Sequence, residues 1–352
     1  MPERPDIGAP AGSSAPGGAR TETSIAEREL TAEAVAEELP IDTDLGAPMA
    51  AVEAGDEGTV KKRLGFGAWL AIGWLALLLF LMVFAPLLPM GTPRERFSGL
   101  AFQQPLCTAS DCVSGHTLGG DAIGRDMLAR LVYGARNSLF ISVGAVVIGF
   151  VVGGMLGLVA GYYRGRVESF LVGFLDVLLA VPALILALSL AIFLQERVQD
   201  IVGSSEMAGR LTLTFALGIV AIPSIGRITR ANTLVWSQRE FVTAARAQGA
   251  KDIRIMFREV LPNVVPAMAA IALLALAVLI IAEAALSILG AGITPPAPTW
   301  GNIIVEGFDY LQNGRAPHIV FEASGAIFLT VLSINYLGDA VRERFDVREA
   351  RL

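Results

Sequence analysis

The chain has 352 residues, of which 54% are hydrophobic and 17% charged, and its mean hydropathy is +0.60. This balance excludes an ordinary soluble domain and indicates a polytopic membrane protein. The net charge of −6 comes from the first 60 residues, which hold 13 acidic and three basic residues. Neither that acidic segment nor the mildly basic remainder has the charge pattern of a nucleic-acid-binding protein.

Residues 1–62 are predicted to form a disordered acidic tail on the cytoplasmic side. The segment is rich in Ala, Gly, Pro, Ser and Glu, so it cannot bury enough apolar surface to offset its chain entropy. It has no early apolar stretch after a basic start, which argues against a cleaved signal peptide. The tail could bind a partner, but its composition favours a solvated extension.

Six apolar segments are predicted to cross a membrane, which takes about 20 residues per helix, and the fourth is the shortest of them. They are Phe66–Leu88, Ser138–Tyr162, Phe170–Leu194, Leu211–Ile225, Val264–Leu289 and Ile319–Leu337. The predicted fold is therefore all-α with six transmembrane helices. Residues 63–90 hold the first helix, 91–137 an extracytoplasmic loop with an interfacial helix, 138–341 a core of five helices, and 342–352 a cytoplasmic C-terminus.

Basic residues set the predicted orientation of these spans. With the N-terminus inside, the inner segments hold about twice as many Lys and Arg as the outer loops, so both termini are predicted to be cytoplasmic. Arg125, Arg130 and Arg136 are a local exception on the outer side. We interpret them as part of an interfacial helix that enters the second span.

Glycine and proline mark two of the spans. Gly149, Gly153, Gly157 and Gly161 recur every four residues in the second span. They form one smooth helix face, which predicts close packing against another helix within the chain or in another subunit. Pro182 is predicted to kink the third span, because it removes a helical hydrogen bond.

Two acidic residues fall inside the predicted spans, Asp176 in the third and Glu283 in the fifth. Such residues can be ion or proton sites. Buried polar groups are usually hydrogen-bonded, however, so we favour structural carboxylates satisfied by backbone or hydroxyl donors. We expect Glu283 to have this packing role.

The predicted outer loop contains both cysteines, Cys107 and Cys112. Two cysteines close together on the oxidising side of the membrane predict a local disulfide, and two free thiols are the alternative. A metal site is not predicted, because only His116 lies nearby as a further soft ligand and four ligands are needed.

Residues Gln238–Asn263 lie between the fourth and fifth spans and read QREFVTAARAQGAKDIRIMFREVLPN. Apolar residues recur at helical spacing on both sides of Gly249, which predicts a helix–turn–helix with positive φ at the glycine. Pro262 is predicted to end the second helix. From its residues alone, the segment could also be an ordinary amphipathic cytoplasmic loop.

Ala244-Ala245, Gly249 and Leu261-Pro262 have the spacing of the EAA loop of ABC importer permeases, which this segment resembles. Thr243 stands where that loop usually has Glu, and Glu259 where it has an apolar residue. The resemblance implies a coupling helix that docks into a groove on an ATPase subunit. The residues it assigns to ATPase coupling are Thr243, Ala244, Ala245, Arg246, Gly249, Lys251, Leu261 and Pro262.

Three further segments resemble one branch of these permeases, the C-type inner-membrane subunits of dipeptide, oligopeptide and nickel importers. They are HTLGGDAIGRDMLARLVYGARNSL at 116–139, RITRA at 227–231 and EAALSILGAGITPPAPTWGN at 283–302. Gly120 replaces a usual Thr, and Ile222 stands where Trp is common. The four matches occur in order and extend from residue 116 towards the C-terminus.

The resemblance implies a type I ABC importer permease in the bacterial inner membrane. Its implied partners are a homologous second permease forming a heterodimer, two ATPase subunits or one fused ATPase, and an extracytoplasmic substrate-binding protein. ATP and Mg²⁺ would bind the ATPases, with no cofactor on this chain. The chain has no G-x-x-x-x-G-K-[S/T] phosphate loop, so we do not expect it to be the ATPase or another enzyme.

Short peptides are the expected cargo, while nickel, heme or another small solute remains an alternative, and one chain does not indicate which residues bind the substrate. Two other functional classes stay open at this point. A secondary transporter working alone would be expected to have more intramembrane charges and internal repeats. A membrane scaffold or sensor could keep the permease fold without transport.

Overall fold

The computed structural model describes residues 66–87, 91–108 and 112–349. The predicted tail at 1–62 therefore lies outside the described residues. Within the described ranges, the regular secondary structure is helical apart from two isolated β-bridges, Arg96 with Arg125 and Gly120 with Asp126. This agrees with the all-α fold class.

Eleven α-helices organise the part of the chain that is described. They are α1 Phe66–Phe84, α2 Met127–Ile148, α3 Gly154–Tyr163, α4 Gly165–Ala180, α5 Ala183–Val202, α6 Ser205–Trp236, α7 Glu240–Ala247, α8 Asp252–Ile255, α9 Leu261–Ile288, α10 Trp300–Gln312 and α11 Pro317–Glu349. A short 3₁₀ turn, Ala85–Leu87, follows α1. Two π-helical turns, Gly149–Gly153 and Met256–Val260, join α2 to α3 and α8 to α9.

Five helical stretches are long and apolar enough to cross a membrane, and the bent pair α4–α5 makes a sixth if it counts as one span. The six predicted spans correspond to these stretches, but most helices are longer than predicted. The fourth runs over all 32 residues of α6, and the last continues to Glu349. These helices continue through polar residues beyond the predicted apolar segments. The predicted spans are shorter because hydropathy identifies only the part of a helix that can lie in hydrocarbon.

The third span is broken rather than gently kinked. Its two halves, α4 and α5, meet at 89°. Val181 is extended and Pro182 follows it with ψ of 129°. Proline disfavours a helical conformation in the residue before it, so the chain leaves α4 there and starts a new helix directly afterwards.

The second span differs from its prediction at its start. In place of a separate interfacial helix, one continuous helical stretch extends from Met127 to Tyr163. Asp126 caps it, because its carboxylate accepts a hydrogen bond from the Ala129 N–H at 3.2 Å. Arg130 is thus a buried residue of this continuous helix, with 1% of its surface exposed.

The glycine face of the second span packs against α6. Its members are Gly149, Gly153, Gly157 and Gly161, and each faces α6 atoms at contact range. A Cβ on Gly149 would lie 2.8 Å from the Cβ of Ala221, and one on Gly161 would lie 2.7 Å from the Cβ of Thr233. Any side chain would therefore separate the helices, so this face packs within the chain.

Pro262 does not end a helix, contrary to the sequence-based expectation. The helical path runs from Asp252 to Ile288 through the π turn. The Leu261 N–H bonds to the Met256 carbonyl five residues earlier. Pro262 lies in the first turn of α9, where its fixed φ and missing N–H are tolerated.

Candidate functional site

The segment between α6 and α9 folds as two short helices joined by a tight turn. Gly249 has φ of +80°, a conformation that glycine adopts without steric cost. Its N–H bonds to the Arg246 carbonyl at 3.0 Å, and the Ala250 N–H bonds to the Ala245 carbonyl at 3.1 Å. These two bonds make a Schellman motif, which ends α7 and sets the direction of α8.

An apolar contact fixes this segment to the membrane helices. Val242 of α7 is 1% exposed and belongs to a cluster with Leu158, Ile255, Val260 and Met268. This cluster combines α3, α7, α8 and α9. Val242 is a positioning residue that our sequence analysis missed, because the apolar pattern of α7 is too short to show which of Phe241 and Val242 faces inward.

A polar contact supports the same connection. The Tyr162 hydroxyl at the end of α3 donates to the Asp252 carboxylate at 2.8 Å. Arg246 donates to the Tyr162 oxygen at 3.4 Å and lies 3.8 Å from Asp252. The hydrogen bond to Tyr162 raises the pKa of the Arg246 guanidinium above its ordinary value. Three elements, α3, α7 and α8, therefore meet at one hydroxyl group.

The side chains predicted to couple to an ATPase lie mainly at the surface. Thr243, Ala244, Arg246, Gly249, Lys251 and Pro262 are exposed, whereas Ala245 and Leu261 are half-buried. The structure therefore brings most of this set to one accessible segment. Ala245 and Leu261 pack at the edge of the apolar cluster instead.

Three large apolar side chains accompany these residues at the surface: Phe241 is 37% exposed, Ile253 60% and Phe257 40%. Five basic side chains of the same segment are also exposed, namely Arg239, Arg246, Lys251, Arg254 and Arg258. We call these eight residues the coupling surface. Exposed apolar groups rimmed by charge typically mark a protein-binding site.

Glu283 lies in a buried hydroxyl cluster at the other end of the chain's helices. Its side chain has no exposed surface. Ser138 donates to one carboxylate oxygen at 2.9 Å and Ser287 to the other at 3.2 Å, while the Trp300 N–H donates to Ser138 at 3.2 Å. The carboxylate thus joins α2, α9 and the start of α10, an arrangement suited to packing.

A charged cluster that sequence analysis missed lies near the start of α2. Asp121 accepts from Arg125 Nε at 2.5 Å and Arg130 Nη1 at 2.6 Å, and Glu306 of α10 pairs with both arginines. Burial alone would raise the pKa of Asp121, but hydrogen bonding to Arg125 and the Arg130 charge outweigh it and lower the pKa. Glu306 is distant in sequence, so spacing could not reveal this cluster.

The loop that precedes this cluster contains the two cysteines. The structure joins Cys107 to Cys112 through their sulfur atoms, with 6.0 Å between the Cα atoms. The bridge lies far along the chain from the coupling surface. Among the described residues, no group of three or more His, Cys, Asp or Glu side chains is arranged to hold a metal ion.

The chain is similar in sequence to a family of transport proteins and to several of its members. Residues 153–351 match the family model described as "Binding-protein-dependent transport system inner membrane component". The chain is 34% identical over 280 residues to the di/tripeptide transport system permease protein DppC of Pseudomonas aeruginosa (strain UCBPP-PA14), covering 80% of this chain and 88% of that protein. It is 38% identical over 233 residues to the glutathione transport system permease protein GsiD of Pectobacterium atrosepticum, covering 66% and 73%.

A solved structure, the inward-facing MetNI methionine ABC transporter, has a chain similar to this one with a TM-score of 0.49 and 23% identity. The match covers 62% of this chain and 97% of that chain. The family assignment depends on the sequence matches instead, because the family model covers more than half of the chain and the relative DppC most of it. The chain therefore belongs to the binding-protein-dependent transport system inner membrane components, the permease subunits of ABC importers.

Proposed function

We propose that this chain is one half of the transmembrane pathway of an ATP-driven importer of short peptides. A homologous second permease forms the other half, as a heterodimer. The observation that supports this most directly is the coupling surface, a basic and apolar segment that the fold presents without covering. The peptide cargo is supported by the relatives, one named for di- and tripeptides and the other for glutathione.

The continuity of the helices explains how a docked ATPase would act on the pathway. Helix α8 continues through the π turn into α9, so the stretch from Asp252 to Ile288 can move as one body. Val242 and Tyr162 also join the segment to α3. Closure of two ATPases on ATP would pull the coupling surface and shift the spans between inward- and outward-facing states, provided that each ligand binds these states differently.

The positive-inside pattern supports an orientation with the coupling surface and both termini in the cytoplasm of a bacterial cell. ATP and Mg²⁺ would bind two separate ATPase subunits, or one fused ATPase, and this chain would hydrolyse nothing itself. The opposite side, with the cysteine loop and α10, would face an extracytoplasmic binding protein that delivers the peptide.

The coupling role can be tested with Ile253→Glu in a complex of both permeases, the ATPases and the delivery protein. Ile253 is 60% exposed, so the change should spare folding while it places an acidic group in an apolar contact. We expect normal insertion and permease pairing, with strong loss of ATPase copurification and peptide uptake. Leu106→Glu is the matched control for ATPase copurification alone, because Leu106 is 78% exposed and lies in the cysteine loop, on the side away from the coupling surface.

Three results would contradict parts of the proposal. Wild-type uptake that needs no ATP would indicate a secondary transporter, and a delivery protein that copurifies with nickel or heme in place of peptide would reassign the cargo. Full ATPase binding in the Ile253→Glu complex would show that the surface is an ordinary loop.

A further inference from the structure

An ion pair joins helices α4 and α6. It is not part of the coupling surface, and its side chains are not buried in the packing between helices. Arg227 donates to Asp176 at 2.6 Å, and the two side chains are 53% and 50% exposed. Arg227 lies roughly 14 Å from Trp236 at the end of α6, at 1.5 Å per residue. Arg227 lies two residues beyond the predicted fourth span and Asp176 lies six residues inside the predicted third span, so the pair is near the inner ends of these two spans.

Arg227 lies on an exposed face of a helix that is otherwise largely buried. Helix α6 is the most buried of the spans, with 61% of its most apolar window buried. One stripe remains uncovered, formed by Ser224, Arg227, Ala231 and Val235 at intervals of three or four residues. Helix α6 thus leaves one exposed stripe, and two of its residues, Ser224 and Arg227, are polar.

Lipid is a poor neighbour for this stripe. A charged side chain exposed to hydrocarbon is costly, so intramembrane ionisable residues almost always face protein or water. The break at Val181 and Pro182, about one turn after Asp176, adds non-helical backbone that is exposed in this chain. Such backbone is tolerated at membrane depth only where it is buried in protein or lines an aqueous cavity.

We propose that Asp176 and Arg227 line the peptide pathway and bind the two charged ends of a zwitterionic short peptide. Asp176 takes the ammonium group and Arg227 the carboxylate. This inference rests on the proposed function and identifies a substrate site within it. When no peptide is present, the two side chains neutralise each other, and when one is bound, each finds an opposite charge. The site is therefore charge-balanced in both conditions, which suits a pathway that must release its cargo.

The dimensions are compatible with this exchange. Packed helices lie about 8–10 Å apart between axes. An extended di- or tripeptide spans roughly 7–11 Å at about 3.3–3.6 Å per residue. The two charged groups are 2.6 Å apart in the closed pair, so the long Arg227 side chain must swing away from Asp176 before one end of the peptide can bind at α4 and the other at α6.

A second ion pair between the same helices provides a matched control. Arg230 Nε donates to Glu168 at 2.8 Å, and these side chains are only 32% and 21% exposed. Removing this pair tests the effect of losing an α4–α6 contact of the same chemistry in a more covered place. Glu168→Gln is therefore compared with Asp176→Asn and Arg227→Gln.

The experiment measures dipeptide uptake per ATP hydrolysed in proteoliposomes with both permeases, the ATPases and dipeptide-loaded delivery protein. For Asp176→Asn and Arg227→Gln, we expect uptake per ATP to fall about tenfold or more, the scale of a lost charged hydrogen bond. ATPase activity stimulated by the delivery protein should stay near wild type. Glu168→Gln should keep its uptake per ATP. If Arg227→Gln does not assemble, Arg227→Lys, which keeps the charge, should assemble and retain partial uptake.

The double variant Asp176→Arg with Arg227→Asp distinguishes a substrate-binding role of the pair from a purely structural role. It restores the pair but would hold a zwitterionic peptide in the opposite direction. Assembly should therefore recover, while uptake should stay below the wild-type level because the delivery protein presents the peptide in one direction. Recovery of uptake to the wild-type level would overturn the proposal. A wild-type complex without ATP-driven peptide uptake would instead contradict the proposed function, while wild-type uptake that all single variants retain would contradict the substrate site alone.

Water access gives a readout that is independent of transport. Ser224→Cys lies on the stripe, and Leu77→Cys lies on α1, which is only 17% buried and wholly apolar in its span. With both native cysteines replaced by Ser, a charged thiosulfonate reagent should label Ser224→Cys in the assembled complex and leave Leu77→Cys unmodified. An unlabelled Ser224→Cys would show that the second permease covers the stripe, and would overturn the proposal.

Discussion

The hydroxyl of Tyr162 at the end of α3 donates a 2.8 Å hydrogen bond to Asp252 at the start of α8. These residues are far apart in sequence, yet the bond joins the second span to residues 238–263, which we call the coupling segment. Apolar contacts of Val242 support the same junction. The coupling surface is therefore connected to two membrane helices, α3 and α9.

We expect Tyr162→Phe to weaken the contact between α3 and the coupling segment without abolishing it. The change removes one hydrogen bond, worth about 1 kcal/mol, and leaves the ring in the apolar cluster. ATPase copurification should persist, while ATP-driven uptake should fall a few-fold. Tyr163→Phe on the neighbouring residue, which is 47% exposed, is the control. Equal uptake in both variants would show that the hydroxyl does not transmit movement.

Gly249→Val tests the turn of the coupling segment. A Cβ at Gly249 meets nothing within 4 Å, but φ is +80°, so the strain of about 1–2 kcal/mol would come from the backbone. The spans hold the fold, so insertion and permease pairing should survive. The angle between α7 and α8 should change, and ATPase binding or coupled uptake should be lost.

The control for this turn is Gly325→Val in α11, where a Cβ also has open space but φ is helical. It should copurify with the ATPases as the wild type does. Normal ATPase binding and uptake in Gly249→Val would refute the assignment of this segment as the coupling helix.

Glu283→Gln should leave uptake nearly unchanged. Glutamine keeps the size of the side chain and can still hydrogen-bond to Ser138 and Ser287, which now contact the carboxylate at 2.9 and 3.2 Å. Glu283→Leu removes these bonds and should reduce stability by about 1–3 kcal/mol. Strong loss of uptake in a well-expressed Glu283→Gln, or a shifted pH profile of uptake, would support a proton or substrate role instead.

The Asp121 cluster should make stability sensitive to acid. Burial would raise the pKa of Asp121 in the folded state, but hydrogen bonding to Arg125 and the charge of Arg130 lower it below its ordinary value. The contribution to stability is therefore complete above the ordinary pKa of about 4 and is lost as the pH falls through the lowered value.

Asp121→Asn should remove this dependence and lower the stability by about 3–5 kcal/mol, because Arg130 would keep a buried charge with one partner fewer. Thermal unfolding of the purified complex between pH 3 and pH 7 would measure both effects. A variant as stable as wild type, with the same acid sensitivity, would contradict this role.

Cys107 and Cys112 are expected to be linked in the mature protein. Mass spectrometry of non-reduced peptides should find them as a crosslinked pair. The loop between them is short, so replacing both by Ser should cost only about 2 kcal/mol on the chain-entropy model. Two alkylatable thiols in protein isolated without reductant would refute the disulfide.

The sequence by itself determined the features that depend on local order along the chain. Runs of apolar residues defined six spans, the four-residue glycine repeat defined a packing face, and the spacing around Gly249 defined the coupling segment. Each of these signals arises from neighbouring residues, because helix period, membrane thickness and turn conformation are local constraints.

Only the tertiary structure decided which distant residues meet. Glu306 pairs with Arg125 and Arg130, and Arg227 with Asp176, although nothing in the spacing of these residues predicts it. Pro262 likewise continues a helix that sequence rules would end, since the preceding π turn places it in the first turn of α9. Charged side chains inside a membrane protein find partners across helices, and that choice depends on how whole helices pack rather than on any single segment.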